Sequence, residues 1–334
     1  MKQNHTFIFL AALLLAAATA CSSNRKTALP AGDEAAATAR TVSVPAFDAD
    51  SAYRYVKEQV DFGPRVPNTA AHRACGDYLA GQFARFGAQV HNQYADLAAY
   101  DGTLLKARNI IASYKPESRK RIVLFAHWDS RPWADQDPDA SRHYSPVPGA
   151  NDGASGVGVL LEIARQLQQQ PAALGIDLVL LDAEDYGTHN DYTGQRKEEY
   201  WCLGAQYWAR NPHVQGYNAR FGILLDMVGG KNATFRYEGV SEEYARHVNR
   251  KVWKAARSLG YGQYFVEAQG NYATDDHLFV NQYARIPTID IIAYSEKHDF
   301  FEHWHTLKDD MDTIDRNTLK AVGQTVMQVI YNEE

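Results

Sequence analysis

The sequence predicts a single α/β domain: a mostly parallel, mixed central sheet with helices on both faces. Three observations carry this expectation. From Arg121 onward, short continuous apolar runs alternate with amphipathic stretches, the pattern of parallel strands joined by covering helices. Ahead of Arg121, "AQVHNQYADLAAYDGTLLKARNIIASY" alternates in strand fashion around Asp101-Gly102, a hairpin turn that adds antiparallel strands at one edge. No internal repeat or interior linker marks a second domain, and 334 residues suit one large globular unit.

The elements follow in order. "SAYRYVKEQVDFGPRVPNT" predicts a helix stopped by Gly63 and Pro64, and "AHRACGDYLAGQFARFG" repeats apolar residues at three-to-four spacing as a second helix. After the hairpin come strand "RIVLFAHWD", helix "GVGVLLEIARQLQQ", strand "IDLVLLDAED" and helix "LGAQYWARN". Strand "FGILLDMVGG", helix "EEYARHVNRKVWKAARSLG", strand "IPTIDIIAY" and helix "NTLKAVGQTVMQVIYNE" complete the rhythm.

The N-terminus reads as an address. Residues 1–20 place one Lys before a short apolar run that ends in small residues, an export signal and too short to span a membrane. The "ATAC" ending resembles a bacterial lipoprotein cleavage site, with Cys21 as the lipidated first residue; "ATA" also suits ordinary secretion. Residues 21–47, rich in Ala, Ser and Thr, read as a flexible tether, so the catalytic domain is 48–334, expected to act as a monomeric periplasmic lipoprotein on a bacterial membrane. In an oxidising compartment Cys75 and Cys202 either pair or remain two buried thiols, and the sequence leaves both open. The net charge of -6 is spread out without a dense Lys/Arg stretch, which argues against nucleic acid and for a small-molecule or peptide ligand.

In open α/β sheets the ligand crevice lies outside the carboxyl ends of the strands. There the polar residues recur: His127 and Asp129 after "RIVLFA", Asp152 in "GANDGASG", Asp182, Glu184 and Asp185 after "IDLVLL", Asp226 after "FGILL", and His303 and His305 in "HWHT". An isolated Asp at such a place is ordinarily a helix cap or a solvated residue, and Asp152, just ahead of a helix, suits a cap. Recurrence at successive strand ends, and the adjacency of Glu184 and Asp185, argue instead for a shared cation or proton. Imidazole and carboxylate ligands suit zinc with an open position.

The motifs "AHWDS", "NDGASG", "DAED", "LLDMVG" and "WHT", in that order, resemble exported zinc aminopeptidases and their relatives, the glutaminyl cyclases. From about Asp50 to the end the sequence looks most like the bacterial glutaminyl cyclases of the animal type. The resemblance implies cyclisation of N-terminal glutamine of peptides or proteins to pyroglutamate with release of ammonia. It implies one zinc ion on Asp152, Asp185 and His305, Glu184 as general acid/base, and Asp226 and Asp275 in a hydrogen-bonded network that holds the substrate amine. Trp304 and Trp201 match aromatic walls of the pocket, and His127 and Asp129 stand behind the ligands. Trp208 is expected in the core, Trp133 at the rim or in the core, and His189, His298 and His303 at the rim or in solvent. Two-zinc aminopeptidases typically carry two glutamates where this sequence has Glu184-Asp185. Because His127 and Asp226 match second-zinc ligands of those hydrolases, a zinc aminopeptidase is the alternative expectation, and a noncatalytic peptide-binding lipoprotein a third.

Overall fold

A computed structural model describes residues 43–334 apart from residue 298. The expected signal 1–20, Cys21, most of the expected tether and His298 lie outside the described residues. Asp48 starts the first helix, α1 (Ala49–Val60), by accepting from the amides of Asp50 and Ser51, a capping arrangement that satisfies donors with no intrahelical partner. Thr69 caps α2 (Ala70–Arg85) through the amide of His72. The hairpin follows as β1 (Gln89–Ala98) and β2 (Leu104–Tyr114).

The alternating half comprises β3 (Arg121–His127), α3 (Ala154–Gln169), β4 (Gly175–Leu181), α4 (Leu203–Arg210) and β5 (Gly222–Asp226). It continues through β6 (Phe235–Tyr237), α5 (Gly239–Ser258), β7 (Phe265–Gln269), α6 (Asp276–Phe279), β8 (Thr288–Ile292) and α7 (Arg316–Asn332). The main sheet has six strands in the order β1-β2-β4-β3-β5-β8. β4, β3, β5 and β8 run parallel, while β1 and β2 form the antiparallel edge, as the hairpin reading anticipates. A separate parallel pair, β6 and β7, escapes the sequence reading because neither is a long apolar run.

Alternate side chains of each central strand feed two cores. Ile122, Leu124 and Ala126 of β3 pack with α1, α2, α3, α5 and α7 on one face, and Val123 and Phe125 pack with Trp208 of α4 and Phe279 of α6 on the other. All five are fully buried, and each of the larger ones contributes roughly 1.5–3 kcal/mol by leaving water. α3 lies tight against the sheet: a Cβ at Gly156 would stand 2.2 Å from the carbonyl oxygen of Leu225. That close approach brings the start of α3 beside the end of β5.

Residues 43–47 run along the far end of α3. Gln170 donates to the carbonyl of Ser43, Gln166 to that of Ala46, and Gln324 of α7 to that of Pro45. Since α3 descends from the carboxyl end of β3 to the amino end of β4, this strap lies at the sheet edge opposite the strand carboxyl ends. Among the described residues no helix is long and apolar enough to cross a membrane.

Candidate active site

His127 is the last residue of β3 and Asp226 the last of β5, so both side chains leave the sheet at its carboxyl edge. The loop after β4 carries Glu184 and Asp185 over the same edge, and the turn into α3 brings Asp152. Asp152 does not cap α3: the cap position is Gly153, with φ of 90°. Only glycine fits there, because a Cβ would approach the Asp129 carbonyl oxygen to 2.6 Å and the His127 ring to 3.0 Å. Asp152 is instead released toward the cluster, its amide and that of Asn151 held by the Asp309 carboxylate at 3.0 and 2.8 Å.

Donor atoms of Asp152, Asp185 and His305 lie within 4.8 Å of one another, and all three residues are buried. His305 Nε2 is 3.0 Å from Asp185 Oδ1 and 3.6 Å from Asp152 Oδ2, and Asp185 Oδ2 is buried with no hydrogen-bond partner. Burial and the nearby Asp152 carboxylate push the Asp185 carboxyl up. An anion in excess, an orphan oxygen and an imidazole nitrogen aimed at both carboxylates form a donor set into which a zinc ion fits. Behind it, His305 Nδ1 stands 3.5 Å from Asp135, which is ion-paired to buried Arg131 at 2.6 Å, an outer arrangement that orients a ligating ring.

A second group, His127, Asp152 and Asp226, is equally compact. His127 Nε2 lies 3.0 Å from Asp152 and 3.2 Å from Asp226. Against the opposing effect of burial, the adjacent carboxylates of Asp129, Asp152 and Asp226 hold the His127 imidazole well above its ordinary range. Asp129 fixes the backbone of the Glu184-Asp185 pair, accepting from the amides of Glu184 at 3.1 Å and Asp185 at 3.2 Å. Asp182 faces away from this group, taking His72 at 2.9 Å and the Arg108 amide at 2.6 Å.

Glu184 is nearly buried, and burial, Asp185, Asp275 and Asp276 drive its carboxyl well above the usual range. Asp226 moves the same way through burial and then Asp275. The cluster therefore retains protons that exposed carboxylates would lose. A cavity of about 180 Å³ opens beside it, walled by Trp201, Trp304, Phe300 and Ile292 and floored by Glu184, Asp226 and Asp275. Trp304 stacks on His305 at 3.7 Å, and Arg131 lies 4.7 Å from the centre of the Trp201 ring. A larger hollow of about 810 Å³ lies beyond Phe300 and contains none of the converging ligands.

Asp152, Asp185, His305, Glu184, Asp226, Asp275, Trp201, Trp304, His127 and Asp129 thus meet at one edge, whereas Asp182 turns to His72. Trp208 is in the core, and Trp133 is half-buried among Tyr100, Tyr186 and His189, outside this cavity. His189 is buried between Trp133 and Tyr144 rather than solvated, and His303 is half-buried. Cys75 and Cys202 are both free and buried, so the disulfide option falls. The sequence reading passes over Asp276 and Asp290, both buried against Asp275. A signal was present: Asp290 interrupts the apolar run "TIDII", where an unpaired acid is costly.

An α/β domain with an imidazole and carboxylate cluster at the carboxyl edge of its parallel strands has the donor set of a metal-binding enzyme. The chain belongs to peptidase family M28, whose sequence model matches residues 109–330. Within that family it is similar to the glutaminyl cyclase of Bacteroides thetaiotaomicron, with 68% identity, a TM-score of 0.87, and coverage of 87% of this protein and 100% of the other. It is as similar to a structure from the same organism described as a leucine aminopeptidase precursor, with 69% identity, a TM-score of 0.86, and coverage of 88% and 100%. Among curated proteins, the glutaminyl-peptide cyclotransferase of Drosophila melanogaster is 25% identical, the match covering 79% of this protein and 76% of the other. The aminopeptidase YwaD of Bacillus subtilis is also 25% identical, and the match spans only 44% of its length. The expected kinship with bacterial glutaminyl cyclases and zinc aminopeptidases is borne out, and zinc dependence accords with a Parabacteroides distasonis neighbour described as a Zn-dependent exopeptidase, at 60% identity.

Proposed function

We propose that this protein is a glutaminyl-peptide cyclotransferase that converts N-terminal glutamine of peptides or proteins to pyroglutamate and ammonia. The observation that carries the reading is the cavity: about 180 Å³ walled by two indoles is room for one side chain folded back on its own amine. It lies below the roughly 300–1,000 Å³ of ordinary small-molecule clefts. The likeness to a named glutaminyl cyclase at 68% identity, over all of that protein's length, supports it.

Asp152, Asp185 and His305 would hold one zinc ion, which when bound supplies Lewis acidity at the γ-carbonyl oxygen. Trp201 and Trp304 press the glutamine into a ring-like conformation and exclude water, so that proximity supplies much of the rate. Asp226 and Asp275 accept hydrogen bonds from the α-amine and aim its lone pair. As the amine nitrogen bonds to the γ-carbonyl carbon, Glu184 takes the amine proton. It returns that proton to the departing nitrogen as the γ-amide C–N bond breaks, so ammonia leaves and Glu184 is regenerated. No water enters the balance. The count of one ion is part of the proposal: His127 and Asp226, which match second-metal ligands, stand 3.2 Å apart, much as His305 and Asp185 stand at 3.0 Å, and metal analysis of the purified protein checks it. Export and lipidation at Cys21 belong to the same reading and rest on the "ATAC" sequence alone.

The retained His127 and Asp226, together with the aminopeptidase description of an equally similar structure, favour an M28 aminopeptidase as second reading. A coupled ammonia assay on a Gln-initiated peptide, with and without chelator, decides between them. Chelator-sensitive ammonia release supports the cyclase; release of free amino acid without ammonia overturns it.

A further inference from the structure

Among buried nucleophilic groups that this chemistry leaves idle, one touches its central carboxylate. Cys202 is fully buried, and its thiol donates to Glu184 Oε1 at 3.3 Å. Its backbone is left-handed, φ 56° and ψ 36°, a conformation that glycine adopts freely and a residue with a Cβ holds under strain. Backbone bonds join the same two loops: the amide of Cys202 donates to the Glu184 carbonyl at 2.9 Å, that of Leu203 to Ala183 at 3.1 Å, and that of Gly204 to Asp182 at 2.9 Å. These three bonds clip the loops together whatever residue stands at 202. Glycine would keep all three and remove the strain, yet the sequence keeps a thiol. Strain retained beside a reacting group is a pointer to function.

We infer that Cys202 is a positioning residue for Glu184: its S–H occupies Oε1 and leaves Oε2 as the oxygen that exchanges the proton with substrate. This rests on the role given to Glu184 above. A relay that takes a proton and gives it back needs the same oxygen in both steps, and a carboxylate free to turn would present either. Burial and the neighbouring acids, Glu184 first, push the thiol well above its ordinary range, so it remains a donor. Oε2, by contrast, stands 3.9 Å from His127 Nδ1, beyond a hydrogen bond.

The test compares Cys202→Ala, Cys202→Gly and Cys202→Ser for ammonia release, zinc content and melting temperature, and follows the S–H stretching band by infrared difference against Cys202→Ala. Loss of one hydrogen bond to a carboxylate should lower kcat about tenfold in the Ala and Gly variants, with KM and zinc content unchanged. The Gly variant should melt no lower than Ala, and Ser, which keeps a donor, should restore most of the turnover. The band should lie at a hydrogen-bonded position and shift in Glu184→Gln. Full kcat in the Ala and Gly variants, no rescue by Ser, or a band at the free-thiol position would overturn the inference. The infrared arm needs no turnover, so absence of ammonia from the wild-type protein would count against the cyclase reading and leave the thiol contact separately tested.

Discussion

Glu184 and Asp185 are neighbours whose side chains meet different surroundings. Asp185 turns to His305 and Asp152, whereas Glu184 turns to Cys202, with Asp275 and the cavity beside it. Substitution should separate the two roles. Glu184→Gln is expected to bind zinc normally and to lose about 10²–10⁴-fold in kcat, the usual span for a proton-transfer group, measured by ammonia release. His305→Ala is expected to lose zinc itself, read by elemental analysis of the purified protein. The sequence exposes this division only in part. That acids recur at strand ends is visible in one dimension, but which acid faces which partner depends on left-handed backbone at Ala183, Cys202 and His305, with φ of 53°, 56° and 55°. No local propensity announces such angles in residues that carry a Cβ. For the same reason Asp152 looks like a helix cap in the sequence: only the turn at Gly153 shows that it has been released.

Elements with long periodic patterns were legible, and the short ones were not. α5 illustrates both. Its amphipathic repeat marks the helix, but its start is set by Glu238, a buried residue that accepts from Val240, Ser241, Ala273 and His277. Burial opposes ionisation, but His277 and the Ser241 bonds hold the Glu238 carboxyl down to about 2. Since an exposed Glu titrates near 4.5, the unfolded state binds more protons between those values, and stability rises with pH across that window. Glu238→Gln should therefore cost about 3 kcal/mol at neutral pH. The difference from wild type should shrink as pH falls from 4.5 toward 2, followed by denaturant unfolding at each pH; a constant difference would count against the ionised cap. β8 shows the opposite case, an apolar strand whose one acid, Asp290, is buried beside Asp275 and carries a message that periodicity alone reads as noise.

For the molecule as a whole, the proposed zinc ligands come from the β3–α3 turn, the loop after β4 and the segment after β8, so a bound ion would tie together parts far apart in sequence. Zinc that binds only the folded state should stabilise it by about 2.7 kcal/mol at a hundredfold excess over Kd. A chelator should accordingly lower the melting temperature of the wild-type protein and leave that of His305→Ala unchanged, as calorimetry would show. The mostly parallel sheet with its antiparallel edge was legible because hairpin and alternating runs obey simple connection rules, whereas the strand order β1-β2-β4-β3-β5-β8 was set by packing between distant segments. The walls of the cavity were less so, since Phe300 and Ile292 meet Trp201 only through tertiary packing. The strap at residues 43–47 has a practical outcome of its own. Because Ser43 and Ala46 are pinned to the far end of α3, the polypeptide enters the domain on the side away from the catalytic mouth. A bead or fusion partner coupled directly ahead of Ser43 would therefore be attached on the side away from the mouth, where large protein termini have the same approach as short peptides.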